Sequence, residues 1–177
     1  MESDKGTVCV TGGTGFIASW LIKRLLEEGY SVRTTVRENK RDLSFLTSLP
    51  RADEKLKIFS ADLSDPDSFD AAVEGSKGVF HVATPVDFGN KEPDLEMMDE
   101  SFWSDLDFVR EKITHDFASY IISKTLTERA VLEFGAQHGL DVVTVIPSLV
   151  VGPFICSKFP GSVRSSLAPV LGNSSLA

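Results

Sequence analysis

Val8-Cys9-Val10-Thr11-Gly12-Gly13-Thr14-Gly15-Phe16-Ile17-Ala18 decides the fold of this chain. The short apolar run 8–10 ends in a glycine-rich turn. An amphipathic segment follows at once, with Ile17, Leu21 and Leu25 four residues apart and Trp20 beside them. This is strand, tight turn, helix. Gly12 and Gly15 let the backbone bend sharply and approach a ligand closely. The helix N-terminus then brings unpaired N–H groups and a positive dipole end to the same place, which suits a phosphate. The spacing is Gly-x-x-Gly-x-x-Ala, and Ala18 stands where a small side chain lets the helix pack on the strand. A glycine-rich turn without a ligand is the alternative; the placement between strand and helix favours the phosphate.

Outward from this turn, strands and helices alternate. Gly29 is placed to close the first helix in a left-handed conformation. Residues 31–36, rich in β-branched side chains, read as a second strand. Arg37 ends it, about 20 residues past the turn, where dinucleotide folds choose their cofactor: an acid holds the NAD ribose, Arg the 2′-phosphate of NADP. With Lys40 and Arg41 it could equally form a surface basic cluster, but position favours the phosphate. A helix is expected over 41–49, ended by Pro50, and a third strand over 56–60. Asp62 and Leu63 follow at the carboxyl end of that strand, where open α/β sheets bind ligands. Asp62 could accept from an adenine amino group or simply build a turn. Ser64 or Asp65 caps the next helix, with Pro66 in its first turn. Residues 78–83 read as a fourth strand, in which His81 is expected as a satisfied core histidine rather than a catalyst. Val82, Ala83 and Thr84 would reach the cofactor at its carboxyl end.

The order β-α-β-α-β-α-β implies a doubly wound parallel sheet of the Rossmann type. It then breaks: no strand-like run occurs over 86–118. A short helix is expected over 101–112 and a long one over 117–134, ended by Gly135 or Gly139. Tyr120 and Lys124, four apart, project from one face of the long helix. A tyrosine hydroxyl can carry the proton that accompanies hydride transfer. A neighbouring ammonium lowers its high pKa. Residues 141–146 read as an almost wholly apolar buried strand, stopped by Pro147. One further helix is expected over 162–171.

Composition narrows the function. The chain has 177 residues with 42% hydrophobic content, and its net charge of −8 argues against a nucleic-acid partner. Seven acids (Glu92, Asp94, Glu96, Asp99, Glu100, Asp105, Asp107) and no base lie over 92–109, read as a solvated face and not a metal site. Cys9 and Cys156 form neither a disulfide framework nor a zinc pattern, and Cys9 reads as a small buried hydrophobe. No signal peptide and no membrane-spanning run is visible. A cytoplasmic setting is the expectation.

The segments 11–18, Val36-Arg37, 82–88, 99–103, Tyr120-Ile121-Ile122-Ser123-Lys124-Thr125 and 147–153 resemble the extended short-chain dehydrogenase/reductases. Among these they look most like the plant dihydroflavonol reductase and vestitone reductase group. The resemblance implies NADP(H)-dependent reduction of a flavonoid-like ketone. It implies that Gly12, Gly15, Phe16 and Ile17 meet the pyrophosphate, that Arg37 binds the 2′-phosphate, and that Asp62 and Leu63 lie by the adenine. Val82, Ala83 and Thr84 would line the cofactor, Tyr120 and Lys124 would catalyse, and Pro147 and Val150 would lie beside the nicotinamide. The family also places a helix and a strand ending in Thr-Ser-Ser between its Val-Ala-Thr-Pro and Asp-Glu-Ser segments. That unit of roughly 30 residues or more has no counterpart near 95–98, and the catalytic serine goes with it. Ser101, Ser104 and Ser119 do not replace it. The expected organisation is a nucleotide-binding domain over 1–152 and a remnant of the substrate-binding region over 153–177. Two functions compete: an NADP-dependent reductase, or a shortened, inactive relative that binds nucleotide or a protein partner. An open sheet edge in such a chain invites self-association.

Overall fold

The computed structural model describes residues 5–38, 42–83, 103–113, 115–147 and 149–171. It divides into two compact units, Met1–Thr84 with Ser148–Ala177, and Pro85–Pro147.

The first unit is built on four parallel strands, β1 (Thr7–Thr11), β2 (Ser31–Val36), β3 (Leu56–Ser60) and β4 (Val79–His81), in the order β3-β2-β1-β4. Because β1 has neighbours on both sides, Val8, Cys9, Val10 and Thr11 are all buried. Helix α1 (Phe16–Glu27) crosses from β1 to β2, with Gly29 at φ 95° before β2 begins. It buries Ala18, Ser19, Ile22, Leu25 and Leu26. These join Val8, Val10, Val32 and Leu46 in the core. The buried stripe is therefore not the one expected. The helix is apolar on more than one side, and Ile17, Trp20 and Leu21 are turned away from the sheet.

The connection from β2 to β3 holds only short turns of helix, α2 (Ser44–Thr47) and α3 (Ala52–Lys55), in place of one helix over 41–49. A 3-10 turn (Pro66–Phe69) and α4 (Asp70–Val73) lead into β4. Asp65 stands at the cap position without a side-chain bond to the turn, and the Ser64 hydroxyl donates to Asp62 instead. Strand β4 is the sheet edge and is exposed at Val79, Phe80 and His81. The His81 ring is satisfied, through a 3.0 Å hydrogen bond between Nδ1 and the Thr11 hydroxyl, but it is not in the core. Near the C-terminus, α7 (Gly161–Leu171) forms as expected.

The second unit holds α5 (Leu106–Lys112) and α6 (His115–His138). Asp105 caps α5, its carboxylate accepting from the N–H groups of Asp107 and Phe108. Gly139, at φ 68°, ends α6. Residues 141–147 form no strand, which overturns the expected buried strand over 141–146. Val143, Val145 and Ile146 are 79%, 80% and 81% exposed. Apolar β-branched residues favour a pleated surface, but a strand exists only through a ladder to a neighbour, and none of the four described strands pairs with this segment.

Candidate functional site

Several of the expected residues converge at the carboxyl ends of β1 and β4, on either side of the point where strand order reverses. Gly12 adopts φ 71°. A Cβ there would stand 2.9 Å from both Cα and Cβ of Ala83, so only glycine fits between the turn and the end of β4. The turn is held from three sides. The Gly12 N–H donates to the Thr35 hydroxyl at 3.2 Å, and the Gly13 N–H to the Thr35 carbonyl at 2.9 Å. The Gly15 N–H donates to the Gly12 carbonyl at 2.8 Å, closing the turn on itself. Across the strands, Thr11 Oγ1 accepts from the Ala83 N–H at 3.3 Å.

Gly15 is the N-cap of α1 and its carbonyl takes the Ser19 N–H. The N–H groups of Phe16, Ile17 and Ala18 precede the first intrahelical acceptor, so they remain available to an anion. Gly13 is a functional residue that spacing alone passed over. A Cβ on it would run into the Thr34 hydroxyl and come within 3.2 Å of Ile22 Cδ1. Thr34 is itself fixed, its hydroxyl donating to the Val10 carbonyl at 2.8 Å in the core. The signal was in the sequence: two adjacent glycines and, on β2, two adjacent threonines.

Arg37 lies exposed at the end of β2, and Asp62 lies exposed just beyond β3, the next strand over. The Ser64 N–H and hydroxyl, at 2.9 and 2.7 Å from Asp62 Oδ1, hold its carboxyl below the usual range, with a further contribution from the Arg37 guanidinium. Asp62 therefore builds a local turn, as one of its two expected roles required, within the electrostatic reach of Arg37. Leu63 is exposed beside it. Lys40, Arg41 and Thr84 lie outside the described residues.

Val150 does not stand alone: with Val151, Gly152 and Pro153 it faces Phe16, Ile17, Trp20, Leu21 and Arg24 of α1 across an open apolar groove of about 430 Å³. The Trp20 indole donates to the Pro153 carbonyl at 2.8 Å, pinning the segment to the outer side of α1. In the second unit, Tyr120 and Lys124 share one face of α6, with Tyr120 half-buried and Lys124 exposed. Desolvation by nearby protein still holds the Lys124 ammonium below the ordinary lysine pKa. Pro147 is exposed at the end of the unpaired segment. Among the described residues no cluster of three or more His, Cys, Asp or Glu could hold a metal ion, and no helix is long and apolar enough to cross a membrane.

Comparison with known proteins agrees with this geometry. Residues 4–97 match the NmrA-like family and residues 99–174 the NAD dependent epimerase/dehydratase family. Vestitone reductase of Medicago sativa is 46% identical over 97% of this chain and 66% of the relative. The bifunctional dihydroflavonol 4-reductase/flavanone 4-reductase of Malus domestica is 39% identical over 99% and 63%. The crystal structure of alfalfa vestitone reductase superposes with a TM-score of 0.82, covering 93% of this chain and 63% of that one. The chain thus spans roughly two thirds of the length of the relatives it matches. The vestitone reductase match runs over 217 residues, whereas 97% of 177 residues is about 172, so about 45 positions of the relative have no counterpart within the matched span. Both families and the reductase relatives make a nicotinamide nucleotide the cofactor class. The glycine turn on a parallel β3-β2-β1-β4 sheet and these matches together show that the chain belongs to the short-chain dehydrogenase/reductases, in the group of the dihydroflavonol and vestitone reductases.

Proposed function

We propose that this chain binds NADP(H) at the glycine turn and is a reductase of the flavonoid-ketone type, with Tyr120 as the acid/base. The observation that carries the binding half is the turn itself. Gly12 is packed on Ala83 with its φ positive, and the first N–H groups of α1 are left for a pyrophosphate. Phe16 and Ile17 supply two of those donors. Arg37, beside Asp62 and Leu63, is the cation for a 2′-phosphate at the adenosine end. Val82, Ala83 and Thr84 then line the nucleotide, and Pro147 and Val150 are assigned to its nicotinamide end. The cofactor supplies hydride chemistry. The chain supplies the proton, from the Tyr120 hydroxyl to the carbonyl oxygen, and Lys124, whose positive charge favours the phenolate. Its lowered pKa brings the loss of that charge, and of activity, to a lower pH than an ordinary lysine would. We assign residues 1–152 to nucleotide binding and 153–177 to the remnant of a substrate-binding region. A cytoplasmic setting goes with two buried free cysteines.

A second reading is favoured by a specific observation. The two family matches hand over between residues 97 and 99, and about 45 positions of the vestitone reductase match are unaccounted for. We place the gap there. The unit lost is the one expected to carry the catalytic serine, and loss of an oxyanion donor costs ~10²–10³ in rate. On this reading the chain binds nucleotide, or a partner, without turnover.

Titration of Trp20 and Trp103 fluorescence with NADPH and NADH tests the binding half. NADPH should bind tighter, and Arg37→Ala should weaken it by about 10–100-fold, as loss of a charge-assisted bond to phosphate would. Equal binding of the two nucleotides overturns the NADP assignment. Oxidation of NADPH in the presence of a dihydroflavonol, abolished by Tyr120→Phe, would sink the inactive reading. Tight NADPH binding with no oxidation would sink catalysis by this chain.

A further inference from the structure

Two backbone features of this chain lack a partner, and they are complementary. Strand β4 is the edge of the sheet, bonded on one side to β1 and exposed at Val79 and Phe80. Residues 142–146, Val-Val-Thr-Val-Ile, have the composition of a buried parallel strand. They make no ladder among the described residues and expose Val143, Val145 and Ile146 to solvent. An exposed edge is a template for strand addition, and an extended apolar segment is what such a template takes. The two are present once each in every copy.

We propose that a second copy of this chain is the occupant: residues 142–146 of one copy add as a fifth, parallel strand to β4 of the other, and the reverse, so that a dimer closes. Three observations select a second copy and a parallel register. Every strand pair in the sheet is already parallel, and a wholly apolar run suits a strand flanked on both faces. Aligning the segments in parallel sets Asp141 beside Lys77, opposite charges, and Val143 beside Val79. Reciprocal exchange also leaves neither copy with an open edge, whereas addition of any other single strand would leave the donor segment of this chain unpaired. The inference does not depend on nucleotide binding or turnover.

Mixing tests it. A Val79→Cys chain and a Val143→Cys chain, each unable to cross-link these positions within itself, are combined and mildly oxidised. A mixed disulfide dimer of about 39 kDa, twice the 19.3 kDa chain, is expected. It should form several-fold faster than the dimer of either variant alone. Cys9 and Cys156 are buried and stay silent in the folded chain. Light scattering of the unsubstituted chain should give the same doubled mass. The adjacent residues Thr144 and Val145 donate to opposite sides of a strand, so Thr144→Pro or Val145→Pro must remove a ladder donor facing β4. At least one of these should restore the single-chain mass with the circular dichroism of the unsubstituted chain. A monomer at all concentrations, an open ladder of higher oligomers, or a dimer that survives both prolines overturns the proposal.

Discussion

Strand β1 and residues 142–146 are close in composition and opposite in fate. The first reads Thr-Val-Cys-Val-Thr, the second Val-Val-Thr-Val-Ile. Strand β1 bonds to β2 in register Thr7↔Ser31 and to β4 in register Cys9↔Val79, and α1 seals one of its faces. Its four residues from Val8 to Thr11 are buried. The later run is the more apolar of the two and has no ladder, and three of its five side chains face water. β-propensity therefore describes a fit to a neighbour. Without a neighbour the same residues are exposed apolar surface. The helices repeat the contrast. α1 has 12 residues and buries five side chains. α6 has 24 residues, yet at the positions whose burial is described it buries only Ala118, Thr125 and Gly135.

The largest expected effect separates these two regions directly. Leu26 is wholly buried on α1, and Leu26→Ala should cost about 2–5 kcal/mol, read from the urea unfolding midpoint. A smaller loss would mean the sheet unit is as loosely covered as α6. Next is the turn. Gly12→Ala forces a side chain into a left-handed backbone and against Ala83, and should cost about 1–3 kcal/mol by the same measurement, with NADPH binding lost as well. If Gly12→Ala is neutral, the turn is free to relax and the close approach to β4 is not a constraint.

A smaller effect comes from pH. Burial pushes the Cys9 thiol up from its ordinary pKa, and does the same for Cys156. The unfolded thiol ionises first, near pH 8.5, so the unfolded state loses protons that the folded state keeps. Stability should fall as pH rises from that point toward the raised folded value. Cys9→Ala should flatten part of the fall between neutral and alkaline unfolding curves. An unchanged slope would show that β1 is less sealed than its exposure indicates. The smallest effect belongs to α6. Leu126 is 46% exposed, so Leu126→Ala should change the unfolding midpoint by less than about 1 kcal/mol. A cost close to that of Leu26→Ala would mean that α6 is covered in solution, and would erase the contrast.

The nucleotide end of the site was legible because its rules are local. Strand, turn and helix follow one another within a dozen residues, and Gly12, Gly15 and Arg37 can be placed by counting. Gly13 could not be placed by counting. Its need to be small arises from Thr34 and Ile22, which reach it from β2 and from the next turns of α1. The buried face of α1 was misread for a related reason. Phe16, Ile17, Ala18, Trp20, Leu21, Ile22, Leu25 and Leu26 leave the helix apolar nearly all round, so periodicity alone could not choose a stripe. The sheet chose Ala18, Ile22, Leu25 and Leu26. The residues 150–153 took the other side, with Trp20 bonded to Pro153.

By itself the sequence determined the βα alternation, the phosphate turn, the family, and the Tyr120–Lys124 pair on one helix face, because each depends on residues near one another along the chain. Tertiary structure decided what packs and what does not. It turned α1, made Gly13 indispensable, put β4 at an edge, and left residues 142–146 as exposed apolar chain and not a strand. The physical reason is one and the same: a strand or a helix face is completed by a partner distant in sequence, and only the folded chain shows whether that partner is there.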